Sequence, residues 1–372
     1  MKCKLSDICS FHKEKIDVAK LTVNSYVSTE NMLPNKEGIT KASSLPSVSL
    51  TQSFEKDNVL LSNIRPYFKK IWKAKFSGGC SNDVLVFKAK EDIDKDFLYY
   101  VLSDDNFFAY AMATSKGTKM PRGDKASIMQ YDVPIYDIDK QKKISSVLSV
   151  IDDMIELNKQ INNNLEQQAQ AIYQQMFTDK TDSNLKAGKL SDIAEITMGQ
   201  SPSGSSYNED GIGTIFFQGR AEFGFRFPSI RLYTTEPKRM ACKNDTLMSV
   251  RAPVGDFNVA HKDCCIGRGL AAIHSKTNHQ SFVHYTMFSL KKQLGVFNGE
   301  GTVFGSINRN SLNEMPILIP SDEKLDEFEG IVAPMDAVIR NNYDEICRLE
   351  QIRDLLLPKL MSGELDVSEI DL

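Results

Sequence analysis

His261, Cys264, Cys265, His274, His279 and His284 fall within 24 residues of one another. Imidazoles and thiols this close are the side chains that hold zinc or form a Cys-His nucleophile pair. The spacing argues against both, because adjacent cysteines lack the two- to four-residue separation that wraps a tetrahedral ion. The plainer reading is a buried thiol pair beside a tight turn, with histidines scattered on a surface helix. Phosphate chemistry fares no better. NGEGTVFGS at 298–306 has the glycines of a phosphate loop but not its lysine, and no G-x-G-x-x-G occurs. The 13 prolines are never adjacent, so the Pro-Pro core of an amino-methyltransferase motif is absent. These patterns predict a chain with no catalytic residue, no metal site and no cofactor of its own.

Binding chemistry is better represented. RPYFKKIWKAK at 65–75 supplies Lys69, Lys70 and Lys73 with aromatic residues interleaved, and SKGTKMPRGDK at 115–125 places Lys116, Lys119, Arg122 and Lys125 on a Gly- and Pro-marked loop. Further on, QGRAEFGFRFPSIR carries Gln218, Arg220, Arg226 and Arg231, and Asn308, Arg309 and Asn310 follow a Gly-rich turn. Arginine can bind guanine through two hydrogen bonds, and Asn or Gln can bind adenine in the same way, so these side chains are candidates for reading base edges. The 65–75 run also reads as a strand with Phe68, Trp72 and Phe76 in a core and its lysines merely solvated. Arg65 and Arg251 are either structural or phosphate-binding.

What positions these residues is written twice. KLSDI occupies 4–8 and again 189–193. NVLLSNIRP at 58–66 corresponds to DTLMSVRAP at 245–253, FLYY at 97–100 to FVHY at 282–285, GTKM at 117–120 to GTVF at 301–304, and DVPI at 132–135 to EMPI at 314–317. The displacement stays between 182 and 187 residues, so the chain is a duplicated domain rather than a solenoid of short units. Each copy is rich in β-branched and aromatic runs broken by Gly, Pro, Asn and Ser, which predicts mixed, mainly β bodies at 1–138 and 181–320.

Each body gives way to a segment of helical periodicity, at 139–180 and 321–372. Ile144, Leu148, Ile151, Ile155, Asn158, Asn162, Leu165, Ala169, Ile172 and Met176 alternate steps of four and three. So do Phe328, Val332, Met335, Ile339, Asn342, Ile346, Leu349, Arg353, Leu356 and Leu360. This is the seam of a coiled coil, with Asn158 and Asn342 at equivalent polar positions that could fix register. Pro334 predicts a kink or restart near the beginning of the second helix. A helix of about 39 residues is roughly 58 Å long, more than one turn of B-DNA. The expected fold is α+β: two similar β-rich domains separated by two long antiparallel helices, with a pseudo-two-fold internal repeat.

The charge distribution supports that division. Net charge is −4, yet residues 1–138 hold 20 basic and 17 acidic side chains and residues 178–320 hold 16 and 13, while 321–372 hold 5 and 14. Two mildly basic bodies are therefore masked by an acidic tail, which reads either as a surface for a basic partner or as a solvated helical face. No apolar run approaches the ~18 residues that span a bilayer, MKCKLSDICSF lacks the apolar core of a secretory signal, and seven cysteines without regular spacing suit reduced thiols. A cytoplasmic protein with no membrane partner is expected.

VSTENMLPN at 27–35, LLSNIRPYFKKIW at 60–72, MGQSPSGSSYNEDG at 198–211, SVRAPVGDFNVA at 249–260 with CCIGRGLAAI at 264–273, and LLLPKLMSGELDV at 355–367 together resemble the specificity subunit of type I restriction-modification systems. The resemblance covers essentially the whole chain. It implies a non-catalytic subunit with two target recognition domains, each reading one half of a split double-stranded DNA sequence. The helices would act as a ruler and as a dock for two methyltransferase subunits, with restriction subunits added in the full complex. S-adenosylmethionine, ATP and Mg²⁺ would belong to those partners. The competing reading is a coiled-coil adaptor whose bodies bind protein.

Overall fold

The computed structural model describes residues 2–178, 185–299 and 305–367. The chain divides into two compact units, Met1–Leu157 with Ile346–Leu372, and Asn158–Glu345. The GTVF segment at 301–304 lies outside the described residues.

The strands of the first unit are β1 (Lys2–Lys4), β2 (Cys9–Phe11), β3 (Lys15–Asp17), β4 (Tyr26–Val27), β5 (Leu50–Phe54), β6 (Val59–Ser62), β7 (Ile71–Lys73), β8 (Gly78–Cys80), β9 (Val84–Ala89) and β10 (Asp132–Pro134). They form two four-stranded sheets, in the orders β2-β9-β6-β7 and β3-β5-β8-β4, and an antiparallel pair of β1 with β10. The two central strands of the first sheet are buried on both faces. Val59, Leu61, Leu85 and Phe87 point into one core, and Leu60, Val84 and Val86 into another, as the two-residue period of a strand requires.

The second unit repeats the plan with β11 (Lys186–Lys189), β12 (Ala194–Met198), β13 (Tyr207–Asn208), β14 (Thr214–Phe217), β15 (Leu232–Thr234), β16 (Met240–Ala241), β17 (Thr246–Ser249), β18 (Phe257–Val259), β19 (Cys264–Ile266), β20 (Leu270–Ser275) and β21 (Pro316–Ile319). The sheet β12-β20-β17-β18 corresponds to β2-β9-β6-β7, and the pair β11-β21 to β1-β10. The other sheet has five strands, β13-β15-β14-β19-β16.

The repeated pentapeptide is a local folding unit. In each copy LSDI forms a single helical turn, Leu5–Ile8 and Leu190–Ile193, with its Leu and Ile buried. The aspartate at its third position accepts from the backbone N–H that precedes the turn, Lys4 to Asp7 and Lys189 to Asp192, both at 2.8 Å. A carboxylate reaching back in this way satisfies a donor that the helix start leaves open. The Leu5 and Leu190 N–H groups donate to the carbonyls of Tyr131 and Met315, at 2.8 and 2.9 Å. The Lys4 and Lys189 ammonium groups pair with Asp132 and Glu314. Alanine in place of Asp7 or Asp192 is expected to cost about 1 kcal/mol each, read as a lower denaturation midpoint with unchanged far-UV circular dichroism.

Two long helices, Ile138–Phe177 and Asp322–Ser362, each contribute to both units. In the first unit Ile144 and Leu148 share a core with Leu357 and Leu360, and Ile151 and Ile155 meet Ile346 and Leu349. Arg353 donates to Asp152 at 3.0 Å. In the second unit Ala169, Tyr173 and Phe177 join Phe328 and Val332. Within each unit the partner's number falls as the helix number rises, so the pairing is antiparallel.

Two expectations about the helices are corrected. Ile151, Leu165, Ile172, Met335 and Leu356 are only partly buried, while Tyr173, Phe177 and Leu357 are buried. A 3.6-residue turn drifts by roughly 20° per heptad against a strict seam, and each helix also packs into the core of its body, which draws a second side inward. Of the seam asparagines, Asn342 faces Asn162. Asn342 Nδ2 donates to Asn162 Oδ1 at 2.9 Å, and Asn162 Nδ2 donates to the Ile339 carbonyl at 3.3 Å. Finally, the second helix does not restart at Pro334 but runs unbroken through it. One lost backbone bond is tolerated where Phe328, Val332 and Ile339 anchor the helix on either side.

Candidate nucleic-acid interface

At one end of the sheet β2-β9-β6-β7, three segments distant in sequence converge. Ser62 is in register with Val84, so the segment after β6 and the segment before β9 emerge together, and the Asn63 N–H donates to the Asp83 carbonyl at 2.8 Å. The 115–125 loop is tied to them by a bridge between Ile64 and Arg122. Arg65 N–H donates to Pro121 O at 2.8 Å and Gly123 N–H to Asn63 O at 3.1 Å. The fold therefore brings the two basic clusters of the first body onto one surface.

Within that surface the lysines differ. Lys119 and Lys125 are exposed and have no ion-pair partner among the described residues. Lys116 pairs with Asp124 at 3.0 Å and Arg122 with Asp83 at 3.2 Å, both cations remaining largely exposed. Lys69 and Lys36 share Asp105, at 2.8 and 2.9 Å. Lys70 donates to the Thr29 carbonyl at 2.6 Å, and burial lowers its pKa below the ordinary lysine value. Lys73 is held by Asp96. Neither Lys70 nor Lys73 is a free cation for DNA, nor the merely solvated one of the alternative reading, because each half-buried ammonium keeps its protein acceptor. The run does not form a single strand either: residues 66–68 make a 3-10 turn and only Ile71–Lys73 is extended.

The second body builds the corresponding sheet end from different side chains. Ser249 is in register with Leu270, and Val250 N–H donates to Gly269 O at 2.9 Å. Arg251 bridges Ser306, and Ile307 N–H donates to Val250 O at 3.1 Å. This carries the turn of Asn308, Arg309 and Asn310 to the same edge, where Asn308 caps the helix Arg309–Asn313. Gln218 and Arg220 arrive from the end of β14. Glycine is required here, since a Cβ on Gly267 would lie 2.8 Å from the Gln218 carbonyl oxygen and one on Gly199 would lie 2.2 Å from that of Gly267. Gln218, Asn308, Arg309 and Asn310 are exposed. Arg220 pairs with Asp256, and Arg231 with Glu222 and Glu209.

Arg226 does not belong to this surface. Its side chain is 4% exposed and lies between Glu166 and Asp336. It also contacts His284 Nε2 at 2.6 Å and donates to the Tyr285 hydroxyl at 3.4 Å. A guanidinium with this many buried partners is a structural cross-link, and the expectation that Arg226 meets DNA is overturned. His284 corrects a second expectation. It is buried on the core helix Gln280–Ser289, and burial together with the neighbouring Arg226 charge holds its pKa well below the ordinary histidine value. The remaining histidines of the cluster lie at separate carboxylates: His274 hydrogen-bonds to Asp245 at 2.6 Å and His279 to Asp326 at 2.9 Å, while His261 Nε2 lies 2.8 Å from Asp344. Cys264 and Cys265 are buried in β19, and burial pushes the Cys264 thiol up to about 12.

Sequence reasoning missed Arg268, which is exposed at the converging sheet end with no ion-pair partner among the described residues. The signal was its position between Gly267 and Gly269, in a segment too tight for other side chains. Arg251 is likewise exposed and has no ion-pair partner among the described residues.

The model of the type I restriction modification DNA specificity domain matches this chain twice, at residues 1–167 and 183–346. The chain belongs to that family. It is 31% identical over 309 residues to the putative type I restriction enzyme MjaX specificity subunit of Methanocaldococcus jannaschii, a match covering 77% of this chain and 72% of the relative. It is 25% identical over 354 residues to the type I restriction enzyme HindI specificity subunit of Haemophilus influenzae, covering 73% and 77%. The crystal structure of the type I restriction-modification system S subunit from M. genitalium shares the fold, with a TM-score of 0.60 at 16% identity and 97% and 96% coverage. Among the described residues no helix is long and apolar enough to cross a membrane.

Proposed function

We propose that this chain is the DNA-specificity subunit of a type I restriction-modification complex. Each body reads one half of a split, asymmetric target, and the helices set the gap and dock two methyltransferase subunits, with restriction subunits joining the full assembly. The chain itself performs no chemistry. S-adenosylmethionine, ATP and Mg²⁺ act on the partner subunits. The observation that carries this reading is the convergence, at the same sheet end of both copies, of segments that differ in side chains while their framework is repeated. Such a pair of surfaces suits two different half-sites on one duplex.

Exposed, unpaired cations at the converging ends would hold phosphates, and Gln218, Asn308, Asn310 and the arginines would supply base-edge contacts. Fluorescence anisotropy of the chain assembled with its methyltransferase partners, on a duplex at rising salt, tests this. Replacing Lys119 and Lys125 together by alanine is expected to weaken binding to all duplexes and to flatten the salt dependence by about one to two phosphate contacts. Replacing Arg251 and Arg268 should act in the same direction through the second half. Binding without salt dependence in the wild-type complex would favour the protein-adaptor reading.

A further inference from the structure

The sheet end of the first body carries an exposed aromatic pair that phosphate binding does not use. Tyr67 is 49% exposed and Phe68 37% exposed, with ring centroids 4.6 Å apart, and Met120 on the neighbouring loop is 48% exposed. Apolar surface left in water costs free energy that covering it would recover, and a cluster of such groups marks an interaction site.

The turn is held rigidly. Arg65 and Lys69, which flank it, both adopt left-handed backbone conformations, at φ 51° and 50°. Non-glycine residues adopt that region at a cost, and it persists where the surroundings dictate it. The surroundings here do so on both sides. The Arg65 N–H is bound to Pro121 O, while the Phe68 and Lys69 carbonyls accept from the Asn35 and Lys36 N–H groups at 2.9 and 3.0 Å. Pro66 fixes the first position of the turn. Lys70 Nζ lies 5.8 Å from the Phe68 centroid, and the adjoining segments carry the exposed Lys119 together with Lys36 and Lys69, which share Asp105, and Arg122, which pairs with Asp83. Among the described residues the repeated segment holds no such pair, since Val254 and Gly255 follow Pro253 and both are buried.

We propose that Tyr67 and Phe68 form an apolar wedge that enters the DNA of the first half-site and stacks against a partly opened base step. An aromatic pair flanked by cations matches a polyanion whose interior offers flat apolar faces, and inserted side chains of this kind unstack and bend a duplex. The inference rests on the DNA-reading function proposed above and adds a specificity device to one half alone. Sequence steps that unstack easily are preferred at the wedge even where no hydrogen bond reads them.

The test uses the chain assembled with its methyltransferase partners and a duplex containing its target, once methylome sequencing has supplied that sequence. The double variant Tyr67→Ala, Phe68→Ala is expected to bind roughly ten- to a hundred-fold more weakly, with the salt slope unchanged because no phosphate contact is lost. 2-Aminopurine placed through the first half-site brightens at one step beside the methylated base in the wild-type complex and loses that signal in the double variant. Tyr67→Phe, which keeps the ring, retains both affinity and signal, and an unchanged melting temperature of the double variant excludes a folding defect. Equal affinity and equal fluorescence in the double variant overturn the wedge and leave the DNA-reading function standing. A wild-type complex that binds no duplex overturns that function itself.

Discussion

Inserting three heptads into both long helices lengthens the gap in the recognised DNA sequence by about nine base pairs. The insertion points are between Leu157 and Asn158 and between Glu345 and Ile346, where the two compact units meet along the chain. Each unit buries its own half of the helix pair: Ile144, Leu148, Leu357 and Leu360 in the first, Ala169, Tyr173, Phe328 and Val332 in the second. New turns at those points therefore leave both cores intact. Three heptads extend a helix by roughly 31 Å, close to the ~34 Å of one DNA turn, so a ruler lengthened by that much presents its readers to nearly the same face of the duplex. A single heptad adds about 10 Å, or roughly three base pairs, and leaves the second half-site turned by about 100° around the DNA axis. Methylome sequencing should show a longer gap for the first variant and loss of methylation for the second. An unchanged gap after a three-heptad insertion would refute the ruler.

Arg226→Met is expected to be the most destabilising single substitution in the second unit. It leaves Glu166 and Asp336, whose side chains are 10% and 20% exposed, without the cation that lies between them. It also removes a donor from the Tyr285 hydroxyl. Stranding buried charge in this way costs about 3–5 kcal/mol, which in a unit of this size lowers the melting temperature by roughly 10 °C. The triple variant Arg226→Met, Glu166→Gln, Asp336→Asn should recover most of the loss, because the penalty comes from unpaired charge rather than from the missing side chain. Arg220→Ala, which breaks the exposed pair with Asp256, should change stability by less than about 1 kcal/mol. Differential scanning calorimetry of the three variants separates these cases, and a melt for Arg226→Met indistinguishable from that of Arg220→Ala would contradict the assignment.

The contrast between those two arginines marks the limit of what the sequence reveals. Both lie in QGRAEFGFRFPSIR among similar neighbours. Only the fold places one of them beside Glu166, 60 positions earlier, and Asp336, 110 positions later. Local determinants read well. KLSDI marks the start of both copies, and the capping hydrogen bond it makes there lies within four residues. The helices and their antiparallel pairing also follow from periodicity, but their phase does not. Tyr173 and Phe177 replace Ile172 and Met176 as the buried residues because the body packs against a side of the helix that a two-helix seam ignores. Asn162 was recognised as a seam position, yet which asparagine faced Asn342 depended on a register no single-helix pattern contains. In the candidate interface the basic clusters at 69–73 and 116–125 were visible. Their meeting through Ile64 and Arg122 was not, and neither was the burial of the ammonium groups of Lys70 and Lys73 against backbone and Asp96. Arg268 was hidden by its brevity as a signal, one cation between two glycines.

The measurement that bears most directly on the central claim is methylome sequencing of a host expressing this chain with its methyltransferase partners. It is repeated after residues 1–138 are exchanged for the corresponding segment of a relative with a different target. Independent reading by two bodies predicts a split motif in which one half changes while the other half and the gap stay as they were. A change in both halves at once, or a motif without a gap, would contradict it.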